Sequence, residues 1–185
     1  MLKTRKVYTT ALVICCLVIG LLGLHYYFAQ AFVQVKPYEQ KDKTFILSTL
    51  RQNWYWLTTD SLPASDYTDL ALEKRFIQNS PLEGKGLGIG VCRKAGIPVG
   101  FVTYYKQSLI RGKVHLLAVS DDYRGHGYGE RLLKYALDRL GEQGCLIVDL
   151  ITRTSNEKAQ RLYQKAGFKS IWRDQGFIRY EKTLS

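Results

Sequence analysis

The sequence predicts a mixed α/β domain (α+β, one mixed sheet with helices) carried behind a single membrane-spanning helix. Three observations predict it: a charge-free apolar stretch near the N-terminus, strand patterns from Leu87 onward, and an alternation of strand and helix from Lys113 to the end. At 185 residues there is room for one ordinary domain plus an appendage, and 46% hydrophobic residues with only four prolines exclude a disordered or low-complexity chain.

Residues 1–33 are expected to form the anchor. No Asp, Glu, Lys or Arg lies between Lys6 and Lys36. Taken as helix, residues 11–28 span about 27 Å at ~1.5 Å per residue, enough for a bilayer core, with Tyr26, Tyr27 and Phe28 at interfacial depth. A signal peptide is the competing reading, with Ala29-Gln30-Ala31 as its cleavage site, but three bulky aromatics just before that site favour the anchor. Lys3, Arg5 and Lys6 on one side balance Lys36, Lys41 and Lys43 on the other, so charge leaves the orientation open.

Residues 34–44 read as a polar linker and 45–185 as the domain. Apolar patterning starts at Phe45. Turn character at 58–61, then Leu70, Ala71, Phe76 and Ile77 within 66–79, are compatible with an early pair of short helices closed by Ser80-Pro81. The β-branched and aromatic runs 87–92 and 99–105, around a Lys-Ala-Gly-Ile-Pro turn, predict a hairpin, and 113–119 a third strand. The spacing predicts a helix over 128–140, with Leu132, Leu133, Ala136, Leu137 and Leu140 on one face and Gly141 and Gly144 ending it. Residues 145–151 form a near-continuous apolar strand interrupted by Asp149. A second helix is expected from Thr154, boxed with Glu157, with Ala159, Leu162, Tyr163 and Ala166 on one face and Gly167 as its stop. The runs 168–172 and 177–181 close the chain as a hairpin.

The 27 basic and 16 acidic residues give a net charge of +11, of which +8 remains when the three bases of residues 1–33 are set aside. Such an excess suits a polyanionic ligand, an acidic partner or an anionic membrane. The bases are scattered and no helix-turn-helix, zinc-finger or RNA-recognition signature accompanies them, so nucleic acid is not expected as a partner. Cys15, Cys16, Cys92 and Cys145 form no C-x-x-C pair and no cluster with histidine, so neither a disulfide framework nor a metal site is expected.

The sharpest local feature is the stretch 119–129, in which Arg124, Gly125, His126, Gly127, Tyr128 and Gly129 lead from a strand into a helix. Free backbone N–H groups and the helix dipole make such a loop an anion site suited to a pyrophosphate. It is not a Rossmann fingerprint, because Glu130 stands where the third glycine would be. Arg124-x-x-Gly127-x-Gly129 after Leu117-Ala118-Val119, followed by Asn156, Ala159, Leu162-Tyr163 and Ala166-Gly167-Phe168, resembles the GNAT superfamily of acyl-CoA-dependent N-acyltransferases. The resemblance is close over residues 113–172 and looser back to Phe45.

The resemblance implies a GNAT-like acyl-CoA N-acyltransferase fold, a twisted sheet whose fourth and fifth strands (113–119 and 145–151) splay apart over acyl-CoA. It implies main-chain contacts from Leu117 and Val119 to the pantetheine arm, pyrophosphate binding by the N–H groups from Arg124 to Gly129, and a contact from Asn156 to the CoA arm. It also implies a Tyr163 hydroxyl beside the sulfur, where a phenol can protonate a departing thiolate. His115 is the first candidate for the base that takes the amine's proton, expected on one period-2 face with Leu117 and Val119; a hydrogen-bonded core histidine is the equal alternative. Asp149 is the second candidate. His126 is expected to face the phosphates or solvent. Trp54, Tyr55 and Trp56 suit either an aromatic acceptor pocket or core packing.

These readings converge on a membrane-anchored, single-pass N-acetyltransferase that takes acetyl-CoA as cosubstrate, uses no metal, and acetylates a primary amine (small amine, protein N-terminus or lysine). No cysteine in either motif offers a covalent nucleophile, so direct attack in a ternary complex is expected. A cytosolic supply of acetyl-CoA leads to the expectation that the catalytic domain faces the cytoplasm, with the endoplasmic reticulum lumen as the alternative in a eukaryote. The alternative is a non-catalytic, membrane-tethered acyl-CoA-binding or protein-interaction module of the same fold.

Overall fold

The computed structural model describes Gly20 and residues 33–58, 63–78 and 87–184. The stretch 11–28, expected to span a membrane, lies outside the described residues apart from Gly20, as does the Ser80-Pro81 stop. Among the described residues no helix is long and apolar enough to cross a bilayer.

Residues expected to end the anchor and begin the linker form strand β1 (Val33–Pro37), laid antiparallel on β2 (Gly88–Lys94) from Val33 opposite Lys94 to Pro37 opposite Gly90. Only Val33 and Val35 of β1 turn inward, an alternation too brief to stand out before its partner strand is known. After a turn at Gln40–Asp42 come α1 (Lys43–Gln52), the single turn α2 (Trp54–Leu57) and α3 (Asp69–Glu73), which continues as a π-turn over Lys74–Gln78. Leu72, Phe76 and Ile77 are buried, whereas Leu70, one of the apolar residues that predict these helices, is 71% exposed.

The remaining elements are β3 (Ile97–Lys106), β4 (Arg111–Val119), α4 (Tyr128–Glu142), β5 (Ile147–Arg153), α5 (Glu157–Lys165), β6 (Lys169–Arg173) and β7 (Phe177–Thr183). The sheet order is β1-β2-β3-β4-β5-β7-β6, with β4 and β5 its one parallel pair. Helix α5 starts at Glu157 and not at Thr154. Thr154 still belongs to the strand exit, its N–H bonded to Gly176 C=O at 3.0 Å, and Asn156 caps the helix by accepting the Ala159 N–H at 3.2 Å.

Helices cover both faces of the sheet. On one, α4 and α5 bury Leu132, Leu133, Ala136 and Tyr163 against Val102, Val148, Leu150, Ile178 and Tyr180. On the other, α1 to α3 bury Ile46, Leu50, Leu72 and Phe76 against Val91, Phe101, Leu116 and Ala118. Beyond β4 this second layer touches the sheet only through the short helix α2 at β5, and Ile151 on β5 and Trp172 on β6 stay exposed. Cys92 and Cys145 are free thiols buried in the first layer's core, where they pack as small apolar side chains.

Candidate active site

Strands β4 and β5 pair over three positions only, from Arg111 opposite Ile147 to Lys113 opposite Asp149, and then part. Beyond Lys113, β4 is paired on its β3 side alone. Ser120 N–H bonds Val99 C=O at 2.9 Å and Leu116 N–H bonds Thr103 Oγ1 at 3.0 Å, so the even-numbered positions point to β3. The main-chain groups of Leu117 and Val119 therefore point into the opening. The splay that the resemblance implies is present, together with the free strand edge it requires. Val119 C=O accepts Arg124 Nε at 3.1 Å, which leaves the Val119 N–H and the Leu117 groups along that edge.

From Val119 the chain makes one turn over Asp121–Tyr123 and enters α4. Gly125 and Gly127 hold φ at +81° and +78°, a backbone that a side chain would strain and that aims successive N–H groups into one concavity. After Arg124 N–H to Asp121 C=O, the next backbone bond is Arg131 N–H to Gly127 C=O, each 3.2 Å. Between them, among the described residues, the N–H groups of 125 to 130 have no backbone acceptor, at the positive end of a 15-residue helix. This donor set fits a pyrophosphate. At Gly129 a Cβ would stand 3.3 Å from Leu162 and 3.9 Å from Leu117, which marks the place where β4, α4 and α5 converge beside the opening.

The side chains of the loop serve its shape. The Arg124 guanidinium bonds Asn53 Oδ1 (2.5 Å) and Asp121 Oδ1 (2.7 Å) besides Val119. His126 is exposed, stacks on the buried Tyr128, and its Nδ1 lies 2.9 Å from Arg124 C=O; a carbonyl only accepts, so Nδ1 carries the proton there. Asn156 spends its Oδ1 on the α5 cap.

Tyr163 is 7% exposed and packs on Phe168 and Tyr180, with ring centres 6.1 and 6.0 Å away. Burial, with Tyr180 beside it, pushes its hydroxyl up to about 12, so it stays protonated at neutral pH.

His115 departs from the expectation. Thr103 faces Leu116 and Tyr104 faces Val114, which makes His115 the extra residue of a bulge in β4. The bulge breaks the period-2 alternation. Leu117 and Val119 pack on the α4 and α5 side, whereas His115 turns to the other side, stacked on Phe76 (6.5 Å, 16°) and edge-on to Tyr105 (6.0 Å). There it borders a cavity of about 200 Å³ with Trp56, Phe76, Ile151 and Phe177. Burial, reinforced by Lys113 and Arg75, lowers its pKa to about 4, so the imidazole is neutral at physiological pH. Asp149 is fully buried with its oxygens 3.5 Å from Lys113 and 3.3 Å from Arg179, and it does not border the cavity. Of the early aromatics, Trp54 is core, packed on Tyr67 and Phe76, and Trp56 lines the cavity. A larger cleft of about 500 Å³ runs between α4 and the end of β7, but none of the expected site residues borders it.

Sequence reasoning missed Arg75, Lys113 and Arg153, which also line the cavity. For Lys113 and Arg153 the available signal was a cation within largely apolar strands, Lys113 where β4 and β5 begin to part and Arg153 at the end of β5. Arg153 donates Nε–H to Tyr55 C=O, bonds Thr58 C=O at 3.0 Å, and lies 4.0 Å from the Tyr55 ring centre.

A profile of the acetyltransferase (GNAT) family matches residues 51–168, well over half of the chain. The chain belongs to this family. In fold, the GNAT domain resembles a GCN5-related N-acetyltransferase from Kribbella flavida, with a TM-score of 0.72 at 20% identity over 84% of this chain and 99% of that one. The PaiA N-acetyltransferase of Thermoplasma acidophilum, solved in complex with coenzyme A, gives 0.65 at 15% identity over 82% and 99%. In sequence, N-alpha-acetyltransferase 30 of Saccharomyces cerevisiae is 33% identical over 87 residues, 43% of this chain and 49% of the yeast protein. A mycothiol acetyltransferase of Propionibacterium freudenreichii is 34% identical over 67 residues, 36% of this chain and 22% of that protein. The chain thus spans about half or less of the length of these curated relatives. GNAT acetyltransferases use acetyl-CoA, and the unbonded N–H groups beside the open β4 edge fit that cosubstrate. Among the described residues no group of His, Cys, Asp and Glu is placed to hold a metal ion.

Proposed function

We propose that this GNAT protein acetylates a primary amine by direct attack on acetyl-CoA in a ternary complex, with residues 1–33 holding it on a membrane and the catalytic domain in the cytoplasm. The observation that carries the catalytic reading is a sequence of features along β4: a side-chain-lined cavity borders the point where β4 and β5 part, the free strand edge continues from there, and the unbonded N–H groups follow it into α4. Acetyl-CoA, when bound, supplies an activated acyl group. The N–H groups of 125 to 130 hold its pyrophosphate, and the main chain of Leu117 and Val119 orients its arm. Tyr163, on the α4 and α5 side of the opening, donates its proton to the departing sulfur. On the other side the cations around the cavity disfavour an ammonium and so favour the uncharged, nucleophilic amine. Neutral His115 accepts or relays the proton released there. The Cys92 thiol is pushed up to about 11 by burial, and Cys145 is raised for the same reason, so neither suits a covalent relay.

The charge-free apolar run supports the anchor, and it leads straight into β1. Carbonate extraction of membranes from expressing cells should leave the full chain in the pellet; release into the supernatant contradicts the anchor. For catalysis, Tyr163→Phe should lower kcat about 100-fold while the acetyl-CoA Kd is unchanged. An undiminished kcat would remove Tyr163 from the chemistry, and absence of turnover by the intact protein with any amine would favour a binding module.

A further inference from the structure

The acceptor cavity is cationic. Arg75, Lys113 and Arg153 border it, and among the described residues no Asp or Glu does. Asp149, on the neighbouring position of β5, is shared between Lys113 at 3.5 Å and Arg179 at 3.3 Å, so its single negative charge faces two positive ones. Arg153 is fixed by neutral groups, the carbonyls of Tyr55 and Thr58 and the rings of Tyr55 and Phe177 (4.0 and 5.0 Å), which hold the guanidinium in place without cancelling its charge. Apolar side chains, Trp56, Ile151 and Phe177, make up much of the rest of the lining.

We propose that the acceptor amine carries an anionic group, a carboxylate or a phosphate, which Lys113 and Arg153 bind while the amine lies at the opening between β4 and β5. The inference rests on the acetyl-transfer reading and narrows it. A cavity walled partly by apolar side chains and bearing one charge sign focuses its field, attracts the opposite sign and repels a polycation. Polyamines and lysine-rich tails are therefore poor acceptors. A small amine of about 200 Å³ or less with one acidic group is a good one, because its own anion offsets the field that the amine must enter.

The test uses the full chain and matched amines: γ-aminobutyrate against γ-aminobutyramide, phosphoethanolamine against ethanolamine, and spermidine as the polycation. The expected kcat/KM is at least about tenfold higher for the anionic member of a pair, with spermidine lowest. Whichever pair shows the larger ratio tells carboxylate from phosphate. Lys113→Met and Arg153→Gln should each bring the ratio toward one, while Arg153→Lys, which keeps the charge, retains it. Calorimetric binding of acetyl-CoA, unchanged in each variant, shows that the variants fold. Equal rates within both pairs, or a preference for spermidine, overturn the inference and leave the cosubstrate site standing. Failure of the intact protein to bind acetyl-CoA overturns the reading beneath it instead. Where none of these amines turns over, glutarate against glutaramide decides by calorimetry. Binding of glutarate alone, lost in Lys113→Met, supports the inference, and equal or absent binding of the two overturns it.

Discussion

The cosubstrate side of the site is made of main chain, and the acceptor side is made of side chains. The first comes from one continuous segment, from the β4 edge through the glycine loop into α4, and its chemistry is that of unbonded N–H groups. The second gathers Trp56, Arg75, His115, Ile151 and Arg153 from α2, the π-turn, β4 and β5. Arginine struts hold that gathering together. Arg51 reaches Ala64 C=O (2.7 Å), Tyr67 C=O (2.9 Å) and Asp69 (2.8 Å); Arg153 ties β5 to α2; and the buried pair of Arg93 and Asp42 ties the start of α1 to β2. Cosubstrate affinity should therefore follow backbone conformation, whereas acceptor affinity should follow single side chains and the struts behind them.

The largest effect is expected at the most buried strut. Asp42→Ala leaves Arg93, 7% exposed, with only the longer 3.7 Å contact to the half-exposed Glu39 carboxylate, and should cost about 3 kcal/mol in chemical denaturation. A cost under about 1 kcal/mol would mean that Arg93 finds water and that the strut is dispensable. Arg51→Ala comes next: it should raise the acceptor KM several-fold, about three to ten, with the acetyl-CoA Kd unchanged. Equal damage to both affinities would break the division between the two sides.

The third prediction concerns pH. His115 has a folded pKa of about 4 against an ordinary 6.5, so between these values the unfolded chain binds the proton and the native one does not. Stability should fall as pH drops through this window and be fully present above it, and His115→Gln should flatten the slope. By the same reasoning His115 gives no inflection in kcat/KM between pH 6 and 8; one that vanished in His115→Gln would show a base tuned to neutrality. The smallest effect belongs to the α5 cap. Asn156→Ala should cost about 1 kcal/mol and Asn156→Asp almost none. A lower acetyl-CoA affinity in Asn156→Asp at unchanged stability would give Asn156 the CoA contact as well.

The same division decides what was legible in the sequence. The expected elements 113–119, 128–140 and 145–151 lie within two residues of β4, α4 and β5 at each end, because their signals are local periodicity and glycine. The loop between β4 and α4 was readable for the same reason. The face of His115 was not, since a bulge is a property of two paired strands and appears only once β3 is laid beside β4. Strand β1 and the struts share that difficulty: Val33, Arg51 and Arg153 acquire their roles from partners far along the chain. The start of α5 failed on a different ground. Thr154 and Asn156 are both capping residues, and pairing of the strand exit with Gly176 removes the first from contention.

The most direct measurement is calorimetric titration of acetyl-CoA and of free CoA into the full chain, intact and as Gly127→Glu, with circular dichroism to show that both fold. The substitution puts a side chain at a φ of +78° and a carboxylate among the N–H groups assigned to the pyrophosphate. Binding on the order of micromolar in the intact protein, lost in the variant, is the predicted result. Equal binding by both proteins, or none by a folded intact chain, would contradict the account at its centre.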